Sequence, residues 1–123
     1  MGDWSFEPGG TDEAADWFAR FWKTQDVALV IDTLERFDPA EERFEEVRAA
    51  AHVLASLGDP FMWPSSHGAE LKPLLEKAIE LLKKMIEPDD PWGFIDMWGS
   101  RKVVPFVEAQ IAALRARLAQ QHG

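Results

Sequence analysis

The sequence predicts an all-α fold, a compact single-domain array of about five or six helices with an N-terminal arm packed onto it. Three observations carry this prediction. Apolar residues recur at i, i+3, i+4 and i+7 in several separate stretches, the period of one helical face. No stretch alternates apolar and polar residues over strand length, and β-branched residues are few, with tyrosine absent, so nothing reads as a strand. Caps and breakers punctuate the chain at helical intervals.

The first helix opens at Thr11, a good N-cap, with Asp12, Glu13 and Asp16 near the positive end of its dipole. Trp17, Phe18, Phe21 and Trp22 then fall within one arc of about 140°, away from Arg20 and Lys23. A second helix is expected from about Thr24 to Arg36, with Val27, Val30, Ile31 and Leu34 on one face and Phe37 closing it. Asp38-Pro39-Ala40-Glu41 supplies a cap, an N1 proline and an acidic N3 residue in order, which predicts the start of a third helix. Phe44, Val47, Ala51 and Leu54 form its inner stripe, widened by Ala50 and Leu57, and Gly58 is a natural C′ stop.

From Gly58 to Gly68 the chain reads as a connection pinned by a buried Phe61-Met62-Trp63 core. A fourth helix follows, carrying Leu71, Leu74, Leu75, Ala78, Leu81, Leu82 and Met85, with its regular part beginning near Pro73. Asp90-Pro91 starts a short helical turn through Trp98. Val103 to Leu118 makes a last long helix with Pro105 in its first turn and Val107, Ile111, Leu114 and Leu118 on one side. Residues 1–10 are expected as a folded-back arm and 119–123 as a frayed tail.

At 123 residues one domain buries roughly two thirds of the unfolded chain's surface, enough for a real core. The chain has no cysteine, which excludes disulfides, thiolate catalysis and cysteine-ligated zinc and makes the cytoplasm the expected location. No apolar run approaches the roughly 18 residues that span a bilayer. The opening has neither a basic region nor an apolar signal core, and Phe6 stands where myristoylation needs Ser or Thr. No membrane association is expected.

The net charge is -9, which argues against nucleic acid as a partner, because phosphates recruit clustered Lys and Arg. Its distribution is uneven. Through residue 66 there are 14 acidic and 5 basic side chains, a net charge of -9, whereas from His67 onward there are 8 of each, a net charge of zero.

In the opening stretch Met1, Gly2, Trp4, Pro8, Asp12, Ala14, Asp16 and Trp17 stand in fixed register. On these residues the chain resembles a family of small bacterial proteins with a domain of unknown function, whose members begin with a pattern like M-G-x-W-G-x-x-P-F-x-N-D-x-A-x-D-W. The departures are Ser5, Gly9 and Thr11, the last keeping the capping chemistry of Asn. The alanine-rich third helix ending in Leu57-Gly58 and the Asp96-Met97-Trp98 stretch before the closing helix extend the likeness loosely. The resemblance implies a shape and brings no activity, cofactor or catalytic residue. It also implies that the arm folds back and that the Trp4 ring packs beside the first helix near Trp17.

Candidate chemistry is sparse. His122 lies in the tail, His52 falls near the inner stripe of the third helix, and His67 follows two serines in Ser65-Ser66-His67-Gly68. Adjacent residues do not supply nucleophile-base geometry, and no G-x-S-x-G elbow precedes them. Carboxylates pair at i, i+4 in Asp12/Asp16, Glu41/Glu45 and Glu42/Glu46. None forms H-E-x-x-H, an EF-hand or the Glu-x-x-His pairs of di-iron bundles. No catalytic residue, metal site or cofactor is expected.

Like charges at i, i+4 cost roughly 0.2 to 0.5 kcal/mol per pair, partly offset here by Arg43 and Arg48 through i, i+3 contacts with Glu46 and Glu45. The functional expectation is a non-catalytic protein-binding module whose acidic first half attracts another, basic protein through Glu35, Glu41, Glu42, Glu45 and Glu46. An immunity-type role, neutralising a basic toxin domain, is its specific form. The alternative is a small-molecule binder or enzyme with a pocket between the aromatic loops 58–68 and 91–98, lined by Trp63, His67, Trp92 and Trp98. Six tryptophans serve either reading: Trp17 and Trp22 suit gap filling, while Trp63 and Trp92 lie in turns. The sequence leaves the oligomeric state open.

Overall fold

A computed structural model describes residues 5–121. The expected packing of Trp4 and the tail residue His122 lie outside the described residues. Among the described residues there are six α-helices, three short 3-10 turns and no strand.

Helix α1 (Asp12–Thr24) begins as its sequence predicts, with the Thr11 hydroxyl accepting the Ala14 N–H at 3.1 Å. Its aromatic arc is only partly buried. Trp17 and Phe21 enter the core, Phe18 is half-buried, and Trp22 is 66 % exposed. Trp22 lies about 140° from Trp17 around the axis, beyond the stripe that Ala14, Trp17 and Phe21 present inward, so it fills no gap. The Trp17 indole N–H is satisfied by the Thr33 hydroxyl at 2.9 Å.

Helix α2 (Ala28–Glu35) is shorter than the expected Thr24–Arg36. Gln25 adopts a left-handed conformation, φ 50°, and ends α1, and the Asp26 carboxylate accepts the Ala28 N–H at 2.9 Å. The chain therefore turns where apolar periodicity alone runs on.

The third helix corrects the cap reading. The Asp38 carboxylate does accept the Ala40 N–H at 3.0 Å, but the turn it caps is a single 3-10 turn, Pro39–Glu41. Glu42 then turns left-handed at φ 57°, a conformation costing roughly 1 kcal/mol or more outside glycine. Helix α3 (Phe44–Leu57) starts beyond it. Its cap comes from a distant segment: the Glu13 carboxylate accepts the Glu46 N–H at 3.0 Å. Glu41/Glu45 and Glu42/Glu46 are thus not pairs on one helix face, because Glu41 and Glu42 precede the helix.

Helix α3 is the centre of the molecule. Phe44, Val47, the Ala49–Ala51 run, Val53 and Leu54 are buried, and the small alanines permit close approach on several sides. At its end Gly58 is not left-handed, having φ -79°. Glycine suits the site sterically, since a Cβ there would lie 2.2 Å from the Leu54 carbonyl oxygen.

The following connection is pinned by one side chain, not three. Trp63 is buried, whereas Phe61 is 96 % and Met62 63 % exposed. The Asp59 carboxylate accepts the Phe61 N–H, and its carbonyl accepts those of Met62 and Trp63. So tight a turn splays consecutive side chains, and only the last points inward.

A 3-10 turn, Ser65–His67, leads directly into α4 (Gly68–Met85), which begins before Pro73 instead of near it. Proline in the second turn frees one carbonyl, that of Ala69, and Ala69 is exposed to water. Helix α5 (Phe94–Trp98) starts four residues after Asp90, whose carboxylate accepts the N–H groups of Ile95 and Asp96 at 3.0 and 2.9 Å. Helix α6 (Val104–Ala119) packs along α4 and α3, burying Val107, Ile111 and Leu114 with Leu118 half-buried.

The described part of the arm, residues 5–10, lies against the body. The Phe6 ring lies 5.0 Å from Trp98 and 5.5 Å from Phe106, so its ring partners stand on α5 and α6.

Candidate partner-binding site

A concavity of about 690 Å³ opens between α1, α2 and the turn that precedes α3. From α1 come Glu13, Asp16 and Arg20, from α2 Leu29, Asp32, Thr33 and Arg36, and from the turn and the start of α3 Phe37, Asp38, Glu41, Arg43 and Glu46. Six of these are carboxylates and three are arginines, a formal charge of -3. Leu29 and Phe37 supply half-buried apolar surface.

The charges sort into those already engaged and those facing water. Glu46 pairs with Arg20 at 2.8 Å and with Arg43 at 3.3 Å. Glu13 is occupied as the cap of α3, and burial pushes its carboxyl up from the usual carboxylate range, opposed by the N–H of Glu46 and reinforced by the nearby Glu46 charge. Arg36 and Asp32 stand 4.0 Å apart, both largely exposed, a contact worth little in water. Asp16 and Glu41 are exposed.

This arrangement both gathers and divides the predicted acidic set. Glu41 and Glu46 line the concavity. Glu42 is exposed beside it in sequence, and Glu35 lines a separate depression with Glu70, Pro73 and Lys77. Glu45 is corrected outright. It is 3 % exposed and faces the interior, where no partner reaches it. Sequence reading missed Asp32, Asp38 and Arg20 as wall residues. Asp16 and Arg20 stand at i, i+4 on the polar side of α1, a usable signal. The Arg20–Glu46 pair spans 26 residues and has no local signature.

Glu45 belongs to a buried polar network. Arg48, 0 % exposed, donates through Nη1 to both Glu45 oxygens at 3.1 and 3.2 Å and through Nε to Gln110 Oε1 at 2.9 Å. Its Nη2 donates to the Phe6 carbonyl. Gln110 returns a hydrogen bond to the Arg48 carbonyl at 2.9 Å, and the Trp98 indole N–H donates to Glu45 at 3.1 Å. Burial pushes the Glu45 carboxyl up and the Arg48 guanidinium down, each held against that push by the other. Both predicted i, i+3 contacts, Arg43–Glu46 and Arg48–Glu45, are present.

The aromatic-loop residues are drawn into packing. Trp63 is buried and donates to the His67 carbonyl at 3.0 Å, while His67 Nδ1 lies 3.0 Å from Glu70. Trp92 packs against Phe37 at 5.3 Å and Phe44 at 6.5 Å, and Trp98 lies against Phe6. None of the four concavities described for the molecule is lined by Trp63, His67, Trp92 or Trp98. His52 is exposed with its ring edge-on to Phe18. Among the described residues no group of three or more His, Asp or Glu is placed to hold a metal ion, and no helix is long and apolar enough to cross a membrane. Comparison with models of known families, with curated proteins and with solved structures finds no match to this chain.

Proposed function

We propose that this chain is a non-catalytic, cytoplasmic protein-binding module that engages a basic segment of another protein through the concavity between α1, α2 and the start of α3. One observation supports this above the others: the walls carry six carboxylates against three arginines, and two of those arginines are held by Glu46. Asp16 and Glu41 remain to meet a Lys or Arg side chain whose stem lies along Leu29 and Phe37. Such a field raises encounter rate and selects against acidic competitors. Neutralisation of a basic toxin domain is the specific role that this chemistry fits, and a gene for such a protein beside this one would single it out.

The test is co-purification with identification of the bound protein, followed by association kinetics. The expected partner is basic, and its association slows as salt is raised past the point where the Debye length falls to about 8 Å. The double substitution Asp16→Lys, Glu41→Lys is expected to slow association about tenfold or more while leaving the fold intact. Association that ignores both salt and the charge reversal would remove this reading.

A further inference from the structure

We infer that the helical body carries a receptor site for a phenylalanine-bearing peptide segment, and that the chain's own arm is the ligand seated in it. The site is assembled from three helices. Trp98 of α5 and Phe106 of α6 receive the Phe6 ring, and the fully buried Arg48 of α3 aims Nη2 at the carbonyl of the same residue. Ring and carbonyl of one residue are therefore read together, the first by apolar contact and the second by a charged donor. The Glu7 carboxylate adds an attraction to the Arg48 charge. The ligand class is a short segment with an aromatic residue whose own carbonyl meets the buried guanidinium.

Two features make this a site with an exchangeable occupant instead of a fixed part of the core. The receptor's polar groups keep partners within the body: Arg48 keeps Glu45 and Gln110, the Trp98 indole N–H keeps Glu45, and the Gln110 amide keeps the Arg48 carbonyl. Among the described residues, departure of the arm removes the Phe6 carbonyl from the Arg48 guanidinium, a donor that water reaches as the arm leaves. Residues 5–10 of the arm likewise carry their own turn, since the Ser5 N–H bonds to the Gly10 carbonyl and the Gly10 N–H to the Glu7 carbonyl, at 2.9 and 3.0 Å. This turn can detach with its backbone bonds between Ser5, Glu7 and Gly10 intact. A covalently attached ligand acts at an effective concentration in the millimolar range, so a segment in trans enters once the tethered one is weakened. This inference is independent of the acidic concavity.

The experiment uses the full chain with Phe6→Ala and the capped hexapeptide Ser-Phe-Glu-Pro-Gly-Gly, which carries no tryptophan, with the Trp98 indole N–H signal followed by NMR. The peptide is expected to shift that signal in the Phe6→Ala chain and to bind the unsubstituted chain about tenfold or more weakly, because the tethered arm competes. The same peptide with alanine for phenylalanine should shift neither, and adding Phe106→Ala to the Phe6→Ala chain should abolish binding. No shift in the Phe6→Ala chain, or an equal shift by the alanine peptide, overturns the inference. So does a Phe6→Ala chain without a folded spectrum, since the receptor would then not exist apart from its occupant.

Discussion

Arg48 and Glu45 show how much a single pair of side chains fixes. Both are taken out of water, and every buried side-chain polar atom among the described residues has a hydrogen-bond partner. Removing one charge strands the other, a situation that costs about 3 to 5 kcal/mol, whereas replacing both by well-packed apolar residues is often close to neutral. Glu45→Gln is therefore expected to lower the unfolding free energy by about 3 kcal/mol or more, and the double substitution Glu45→Leu, Arg48→Met to lower it by less, as read from urea midpoints at pH 7. A Glu45→Gln chain within about 1 kcal/mol of the unsubstituted one would show that water reaches the pair. The sequence places Arg48 at i+3 from Glu45 and so announces the pair, but its depth depends on Gln110, Trp98 and the Phe6 carbonyl, which only folding brings near.

Among the elements, α3 shows a helix whose start is chosen by another helix. The Asp38-Pro39-Ala40-Glu41 cap is locally sound, yet it spends itself on one 3-10 turn. Glu13 of α1 caps α3 instead. Burial raises the Glu13 carboxyl above its ordinary value of 4.5, so the folded chain holds that proton more tightly than the unfolded one. The stability this group contributes is present below pH 4.5 and is lost as pH rises through the raised folded value. Glutamine keeps the carbonyl that accepts the Glu46 N–H but cannot titrate. Relative to the unsubstituted chain, Glu13→Gln is therefore expected to gain stability as pH rises from 4.5 to 7, measured by urea unfolding at the two values. A difference that stays constant over that interval would mean that Glu13 titrates as it does in the unfolded chain.

Over the whole molecule the charge is lopsided. Net charge resides in the first 66 residues, and about a third of it lines the concavity where α1, α2 and the start of α3 meet. The Arg36–Asp32 pair is largely exposed, and Arg20 and Arg43 are more than half exposed although their partner Glu46 is 17 % exposed; solvent reaches each pair and weakens it, so self-repulsion of the excess carboxylates is expected to dominate the salt response. Raising salt from about 10 mM to about 300 mM shortens the Debye length several-fold, and the melting temperature is expected to rise. A melting temperature that falls over that range would show that attractive pairs outweigh the net charge.

What the sequence determined by itself is the part set by local periodicity and local hydrogen bonding. That part comprises the helical class, the Thr11 cap, the core faces of α4 and α6, the i, i+3 ion pairs and the acidity of the first half. The tertiary structure decided which side of each residue met the interior. Trp22 and Phe61 look like core from their hydrophobicity and face water. Glu45 looks like surface from its charge and is buried, because burial depends on where α3 sits among its neighbours and not on the residue's own polarity. Helix starts fell in the same way: a cap can come from anywhere in space, so Glu13 overrode Asp38. The acidic concavity, formed within residues 13–46, and the Phe6 receptor, which joins residues 6, 48, 98 and 106, share this origin, each bringing together separate elements that no spacing rule connects.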